Sequence, residues 1–480
     1  MKAIRLAAST SAVLVVALLS VTAASGKPPG PAMNVACSQQ ALVDAINAAN
    51  TAGGGTLNLA HGCDYQLTSS PDDTENGLPA ITSSITINGN SATIDGTNSF
   101  RDLEVDGPTG SLSARDLTIT GGSVSDFGGG IANIGGTVSL DHTLVTGNSA
   151  ASAGGGIASA SFSPGVPASL TLRNSWVNDN QQTSDDPDVA LGGGGILNVD
   201  GSLTLDHTQV NGNTAEGFVG GGIANGDYFS FSDTRSTLTV KHSQVNGNSA
   251  PNGNGGGIQN LLGTASLDHS TVDGNTSVNG GGISSGNGNG GSVGPATLTL
   301  KHSEVNGNTA TAPPPAPGEG PPLTGGGIAN GSIATLDHSQ VNNNTASHIS
   351  GAGIVNHGSM TLKHSEVNGN TAAGSGQAAS GGGIVNVASP DTTDTGVLML
   401  DHSKVNGNTA AGSGGGIANG IGQIPGGDVT LTHSEVRHNT AAHGGGIFNH
   451  GGTVTLSDSK VTDNQVDNCQ PTGTIAGCTN

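Results

Sequence analysis

Nine histidines, from His142 to His433, recur once per copy, most of them in the phrase [DK]-H-[ST]-x-V-x-G-N, and they are the residues here whose type and spacing most invite chemistry. Imidazole is a ligand for zinc, copper or nickel, and a column of such rings would present neighbouring nitrogen donors. A metal site needs three or four convergent ligands, whereas a single column offers two at a time, so no metal is expected. Asn174 and Asp458 stand at the same position in two atypical copies. Asn, Asp and His share a tolerance for left-handed backbone angles, so the expected role of this position is to shape a bend.

Other side chains offer less. Cleaving a glycosidic bond needs two positioned carboxylates or a comparable acid and base. The candidate pairs are Asp72 with Asp73 and Asp185 with Asp186, all in polar inserts with nothing to hold them. No catalytic residue and no cofactor is therefore expected. Binding is expected on the insert ANGDYFSFSDTRS, which gathers Asp227, Tyr228, Phe229, Phe231 and Arg235, with Phe218 just upstream. Aromatic side chains are a usual means of holding carbohydrate or protein, and the chain has an aromatic content of only 2%.

The element that must position all of these is a repeat. Its consensus is L-T-L-[DK]-H-[ST]-x-V-x-G-N-[ST]-A, an insert, G-G-G-I-x-N and a second insert. The eleven GGGI-type isoleucines run from Ile131 to Ile447 at separations of 25 to 45 residues. Helical repeats do not vary so freely, but the coils of a β-solenoid do, because inserts bulge outwards and leave the stacked strands undisturbed. Leu298 and Leu300 alternate with threonine, the period of a strand with one buried face. Val305 and Ile328 supply the other apolar spots, which gives three short strands and three bends per coil. Stacked coils place equivalent residues about 4.8 Å apart in a parallel β-helix.

Charge offers an internal check on that stacking. The residue before each histidine runs Asp206, Lys241, Asp268, Lys301, Asp337, Lys363, Asp401, alternating in sign across seven copies. Opposite charges on neighbouring strands attract by roughly 0.2 to 1 kcal/mol, and like charges repel. Asparagine recurs at two further positions, Asn148 to Asn464 after the valine and Asn133 to Asn449 after the isoleucine, where amide ladders are expected.

The ends differ in kind. Residues 1–25 carry Lys2, Arg5, the apolar run AVLVVALLS and small residues, and read as a secretory signal peptide cut near Ala24 or Ser25. Residues 26–36 read as a linker. Residues 37–55 read as a capping helix, with Ser38 as N-cap and Leu42, Ile46 and Ala49 on its buried face. The β-helix is expected over 56–464, with the eleven clear GGGI/VxxN coils from about 122, and a disulfide-closed cap over 465–480. Cys37, Cys63, Cys469 and Cys478 allow three connectivities, but in a rod-like array only Cys37–Cys63 and Cys469–Cys478 can close. Disulfides fit a secreted, extracellular protein. The net charge of -22 opposes nucleic acid and anionic membrane surfaces, and the apolar run is too short to span a membrane. The expected state is a soluble monomer without membrane insertion, and the expected partner a carbohydrate or a cell-surface or matrix protein.

Two families share these elements. The [FV]-x-x-N and G-G-[AG]-[IV] phrases resemble the repeats of chlamydial polymorphic outer-membrane proteins, with Val in place of their usual Phe. The segment CSQQALVDAINAANTAGGGTLNL, followed by SSITINGNSATIDG, is similar to the start of secreted bacterial proteins of the pectin-lyase-like superfamily. The resemblance implies an all-β chain wound as a single right-handed parallel β-helix. It also implies that an enzyme of this kind, a polysaccharide lyase or glycoside hydrolase, would carry acids and an arginine facing outwards from the GGGI strand. The residues after the isoleucines there, Ala132, Leu197, Gln259, Ser284, Val355 and Phe448 among them, cannot transfer a proton. A non-catalytic scaffold of surface, matrix or adhesion type, displaying binding loops, is the expected function.

Overall fold

A computed structural model describes residues 32–480 except 73, 162–165, 187–190, 218, 227–234, 287–294, 312–323, 348–349, 375–378 and 389–395. The signal-peptide reading of residues 1–25 therefore lies outside the described residues.

One coil shows how the repeat folds. Thr297–Lys301, Glu304–Asn306, Thr309–Thr311 and Ile328–Asn330 are its strands. The next coil repeats them as Ile333–Asp337, Gln340–Asn342, Thr345–Ser347 and Ile354–Asn356, each paired in parallel with its equivalent. The coil thus has four strand segments rather than the three expected. The extra division comes at His302, whose φ of 46° turns the chain after two inward leucines and separates the TLTL strand from the valine strand. In the irregular first coils that division is bridged, and Ser84–Asp95 and Ser111–Thr120 run through both positions.

Leu298, Leu300, Val305 and Ile328 point inwards and are at most 1% exposed, and their equivalents stack into one continuous apolar core. A single coil could not bury these side chains alone, so stability is shared between neighbours. Polar ladders line the core's edges. The Nδ2 of Asn308 donates to Asn344 Oδ1 at 2.9 Å and to the Val272 carbonyl at 2.9 Å, and the pattern repeats from Asn148 to Asn464. A second ladder follows the isoleucines, where Asn330 donates to Asn356 and Asn356 to Asn386, each at 2.8 Å. A third runs through the residue after each histidine, with the Ser270 amide donating to Ser303 Oγ at 3.2 Å and the Ser303 amide to Ser339 Oγ at 3.2 Å. These bonds give buried polar groups partners while locking the register between coils.

The ends are closed differently. The helix α1, Gln39–Ala52, starts at Ser38, whose Oγ accepts from the Ala41 amide, and stops at Gly53 in the left-handed region. Its buried face, Leu42, Val43, Ala45, Ile46 and Ala49, joins the core of the first coils. Part of the expected linker is a strand instead: Ala32–Val35 pairs with Gly54–Leu59, because the chain entering the helix passes over an otherwise open edge of the first coil. Both bridges are as expected, Cys37–Cys63 beside the helix and Cys469–Cys478 at the other end, where Cys469–Gln470 pairs with the last isoleucine strand. No helix among the described residues is long and apolar enough to cross a membrane.

Candidate functional site

The histidine bend repeats with little variation. The nine histidines have φ between 46° and 50°, and Asn174 and Asp458, at 45° and 47°, hold the same turn. The bend throws each imidazole outwards, half exposed, and stacking of the coils aligns them. From His207 to His433 eight rings form one column.

The column is not evenly spaced. Ring centroids are 4.9, 4.6, 4.7 and 4.7 Å apart in the pairs His207/His242, His269/His302, His338/His364 and His402/His433. Between pairs the separations are 5.5, 5.3 and 5.2 Å. The closer rings are those that share an aspartate. Asp206 Oδ1 lies 2.8 Å from His207 Nδ1 in its own coil and 3.9 Å from His242 Nδ1 in the next. Asp268 does the same to His269 at 2.8 Å and His302 at 3.9 Å. Asp337 and Asp401 meet their own histidines at 2.8 and 2.7 Å. In each of the four groups, one carboxylate and two imidazoles have ligand atoms all within 4.8 Å of one another.

The charge column is in register as expected and longer than expected. Arg115, Asp141, Arg173 and Asp206 pair in succession ahead of Lys241, so the sign alternates over ten coils before Thr432 and Ser457 end it. Asp141 sits beside His142 Nδ1 at 3.0 Å, but Asn174 Nδ2, at 3.0 Å, takes the place of the second imidazole. Its carboxyl is held below the usual range, first by the Asn174 hydrogen bond and then by His142, with burial opposing.

No protein-family model and no curated protein matches this sequence. Among solved structures, the chain is similar to the A-module of the mannuronan C-5 epimerase AlgE6 of Azotobacter vinelandii. The two share 14% identity at a TM-score of 0.48, over 89% of this chain and 96% of that one.

Other sites read from the sequence fare unevenly. Of the aromatic insert, Phe218, Asp227, Tyr228, Phe229 and Phe231 lie outside the described residues. Arg235 is half-buried and donates from Nη1 to the Pro295 carbonyl at 2.8 Å, ahead of the strand two coils further on. Asp72 and Asp185 are exposed, Asp72 accepting from Ser70 and Thr74, while Asp73 lies outside the described residues.

The isoleucine face departs most from expectation. Its outward side chains are not a surface strip but a second buried layer. Ala158, Leu197 and Ala224 pack with Val219, Leu191 and Phe127, and Val355, Val385 and Ala418 with Ile421 and Ile424. The covering residues come from the inserts, including a small hairpin that pairs Ile421 with Ile424. These described apolar residues are most stable packed against the coil.

One buried charged cluster has no counterpart in the repeats. Arg101 donates to Asn76 Oδ1 at 2.5 Å, Glu104 Oε2 at 2.9 Å, the Phe127 carbonyl at 2.8 Å, the Gly128 carbonyl at 3.1 Å, and Asp126. Burial raises the Asp126 carboxyl, against the pull of Arg101. Beside it, Asp102 is 0% exposed and neither carboxyl oxygen has a well-formed hydrogen bond. Burial lifts its carboxyl well above the usual range and the charge on Asp95 lifts it further, with only partial relief from the Gly96 amide. A fully enclosed acid cannot meet a polymeric substrate, and the arginine's donors are spent on protein oxygens. This cluster is a clamp between the irregular first coils.

Proposed function

We propose that the chain is an exported, non-catalytic β-helix scaffold of surface, matrix or adhesion type, which presents its inserts and its histidine edge to the surroundings. The observation that carries the reading is the buried outer layer of the isoleucine face. An enzyme of the pectin-lyase-like kind would need that face open and armed with an acid and a base, whereas here Ala158, Leu197, Val355 and Val385 fill it under covering inserts. Two disulfides suit an oxidising exterior, and three side-chain ladders give the rigidity a display scaffold needs. The insert over residues 227–234 is the proposed contact for a carbohydrate or matrix protein.

The test is incubation of the protein with pectin and other acidic glycans, with and without calcium, followed by assay of new reducing ends and unsaturated uronate. The expected result is no release under either condition. Release of either product would overturn the reading in favour of a polysaccharide lyase or hydrolase.

A further inference from the structure

We propose that the histidine edge is a linear array of four binding sites for a divalent transition-metal ion, each made of two imidazoles from consecutive coils and the aspartate between them. The sites are Asp206/His207/His242, Asp268/His269/His302, Asp337/His338/His364 and Asp401/His402/His433. Two imidazoles alone would be a weak binder, and the third donor is what the aspartate supplies.

Geometry favours a bound ion over an ordinary surface cluster. Nδ1 of both rings faces the same carboxylate oxygen, at 2.8 and 3.9 Å in the first two groups. Ligand atoms around an ion with bonds near 2.0 to 2.1 Å stand roughly 3 to 4 Å apart. The present separations, all within 4.8 Å, therefore close onto an ion by side-chain rotation, without moving the coils. The left-handed bend fixes where each ring leaves the backbone, and inter-coil pairing fixes its neighbour, so the donors are preorganised.

The donor set states the class of ion. Two nitrogens and one carboxylate oxygen suit copper, zinc or nickel, while calcium and magnesium prefer a shell of oxygens. Remaining coordination positions face solvent, since the histidines are half exposed. Equivalent sites recur every second coil, which puts neighbouring ions roughly 9 to 10 Å apart at the spacing of stacked strands. The group at Asp141 and His142 has Asn174 where the second imidazole would be, and lacks a site.

Copper(II) is the probe, since it heads the affinity order for nitrogen and oxygen donors. The metal-free full chain is titrated with copper alone and followed by equilibrium dialysis and electron paramagnetic resonance. The expected result is four ions with two-nitrogen donor sets and mutual dipolar broadening. His302→Asn loses one of the four. Asparagine at all eight positions from His207 to His433 loses all four, and His142→Asn loses none. Asparagine already holds this bend at Asn174, and circular dichroism checks each variant. If the eightfold variant misfolds, the single substitutions still decide. Full copper content in His302→Asn, or an equal loss in His142→Asn, would overturn the proposal, as would spectra with one nitrogen per ion. Metal binding and glycan release are separate readouts, so failure here leaves the scaffold reading standing.

Discussion

Replacing Asn308 with alanine should break the stack at one place, and its cost can be worked from the bonds it makes. The side chain is 0% exposed. Its Nδ2 donates to Asn344 Oδ1 and to the Val272 carbonyl, and its Oδ1 accepts from the amide and Nδ2 of Asn275, all four at 2.9 Å. After truncation Asn344 Oδ1 still receives the Asn308 amide, and Asn275 Nδ2 still reaches Val245, so neither is stranded. The Asn275 amide is left buried without its acceptor. Three lost bonds at about 0.5 to 1.5 kcal/mol each, with one orphaned donor at about 1 to 3, give a cost of about 5 kcal/mol. Asn306, two residues earlier, is the control. It is half-buried, donates to Glu304 and accepts from the Asn342 amide, and water can replace both bonds, so alanine there costs about 1 kcal/mol. Urea unfolding followed by circular dichroism measures the difference, and hydrogen exchange at the Asn275 amide locates it. Equal costs for the two variants would refute the claim that the inner ladder holds the coils in register.

Two further outcomes are expected. A Cβ at Gly281 would lie 2.4 Å from the Gly326 carbonyl and 2.6 Å from Thr309 backbone, whereas one at Gly247, with φ of 62°, meets nothing within 4 Å. Gly281→Ala should therefore lower stability by about 3 kcal/mol and Gly247→Ala by about 1, as thermal unfolding of the pair will show. Asp102 has its carboxyl raised in the folded state by burial and then by Asp95. Its stabilising contribution is thus full below the ordinary carboxylate range and is lost as pH rises through the folded value. Asp102→Asn should stabilise the protein by about 1 to 3 kcal/mol at pH 7, an advantage that shrinks as pH falls towards 4; an advantage independent of pH would contradict the assignment.

The coil, its parallel stacking, the charge register and both disulfides were legible in the sequence because each is stated again by every copy or fixed by distance along a rod. What escaped is what no copy states alone. The second layer over the isoleucine face is built from Leu191 and Val219, apolar just ahead of the glycine run in only a few copies, and from Ile421 and Ile424 of one hairpin, so no consensus states it. The strand at Ala32–Val35 is four residues of AMNV without alternation, and only the edge it covers explains it. Arg115 extends the charge column from a copy without the histidine phrase, so its alignment needed coordinates, whereas Arg173 could have been read from its place just before Asn174. The aspartates as metal donors were visible in the text of the repeat, in the plain adjacency of Asp and His. Counting ligands along a column of identical residues concealed them, because the third donor comes from the neighbouring column.

From Asp206 to Asp401 the pairing of rings follows the alternation in sign of the preceding residue. Among the described residues no lysine of that column approaches an aspartate of it within 4 Å, so direct ion pairing is not what the alternation achieves, and exposed pairs are worth about 0 to 1 kcal/mol in any case. Eight equal coils would give eight equal rings. One carboxylate in every second coil divides them into four pairs, each with an aspartate whose ligand atom lies within 4.8 Å of both rings'. The boundaries of the column obey the same rule. Before His207 the bend position is Asn174, on the coil of Arg173, and after His433 it is Asp458, on the coil of Ser457. The array therefore begins and ends on a complete pair. The two-coil unit, with its single carboxylate, is the repeat on which the metal proposal rests.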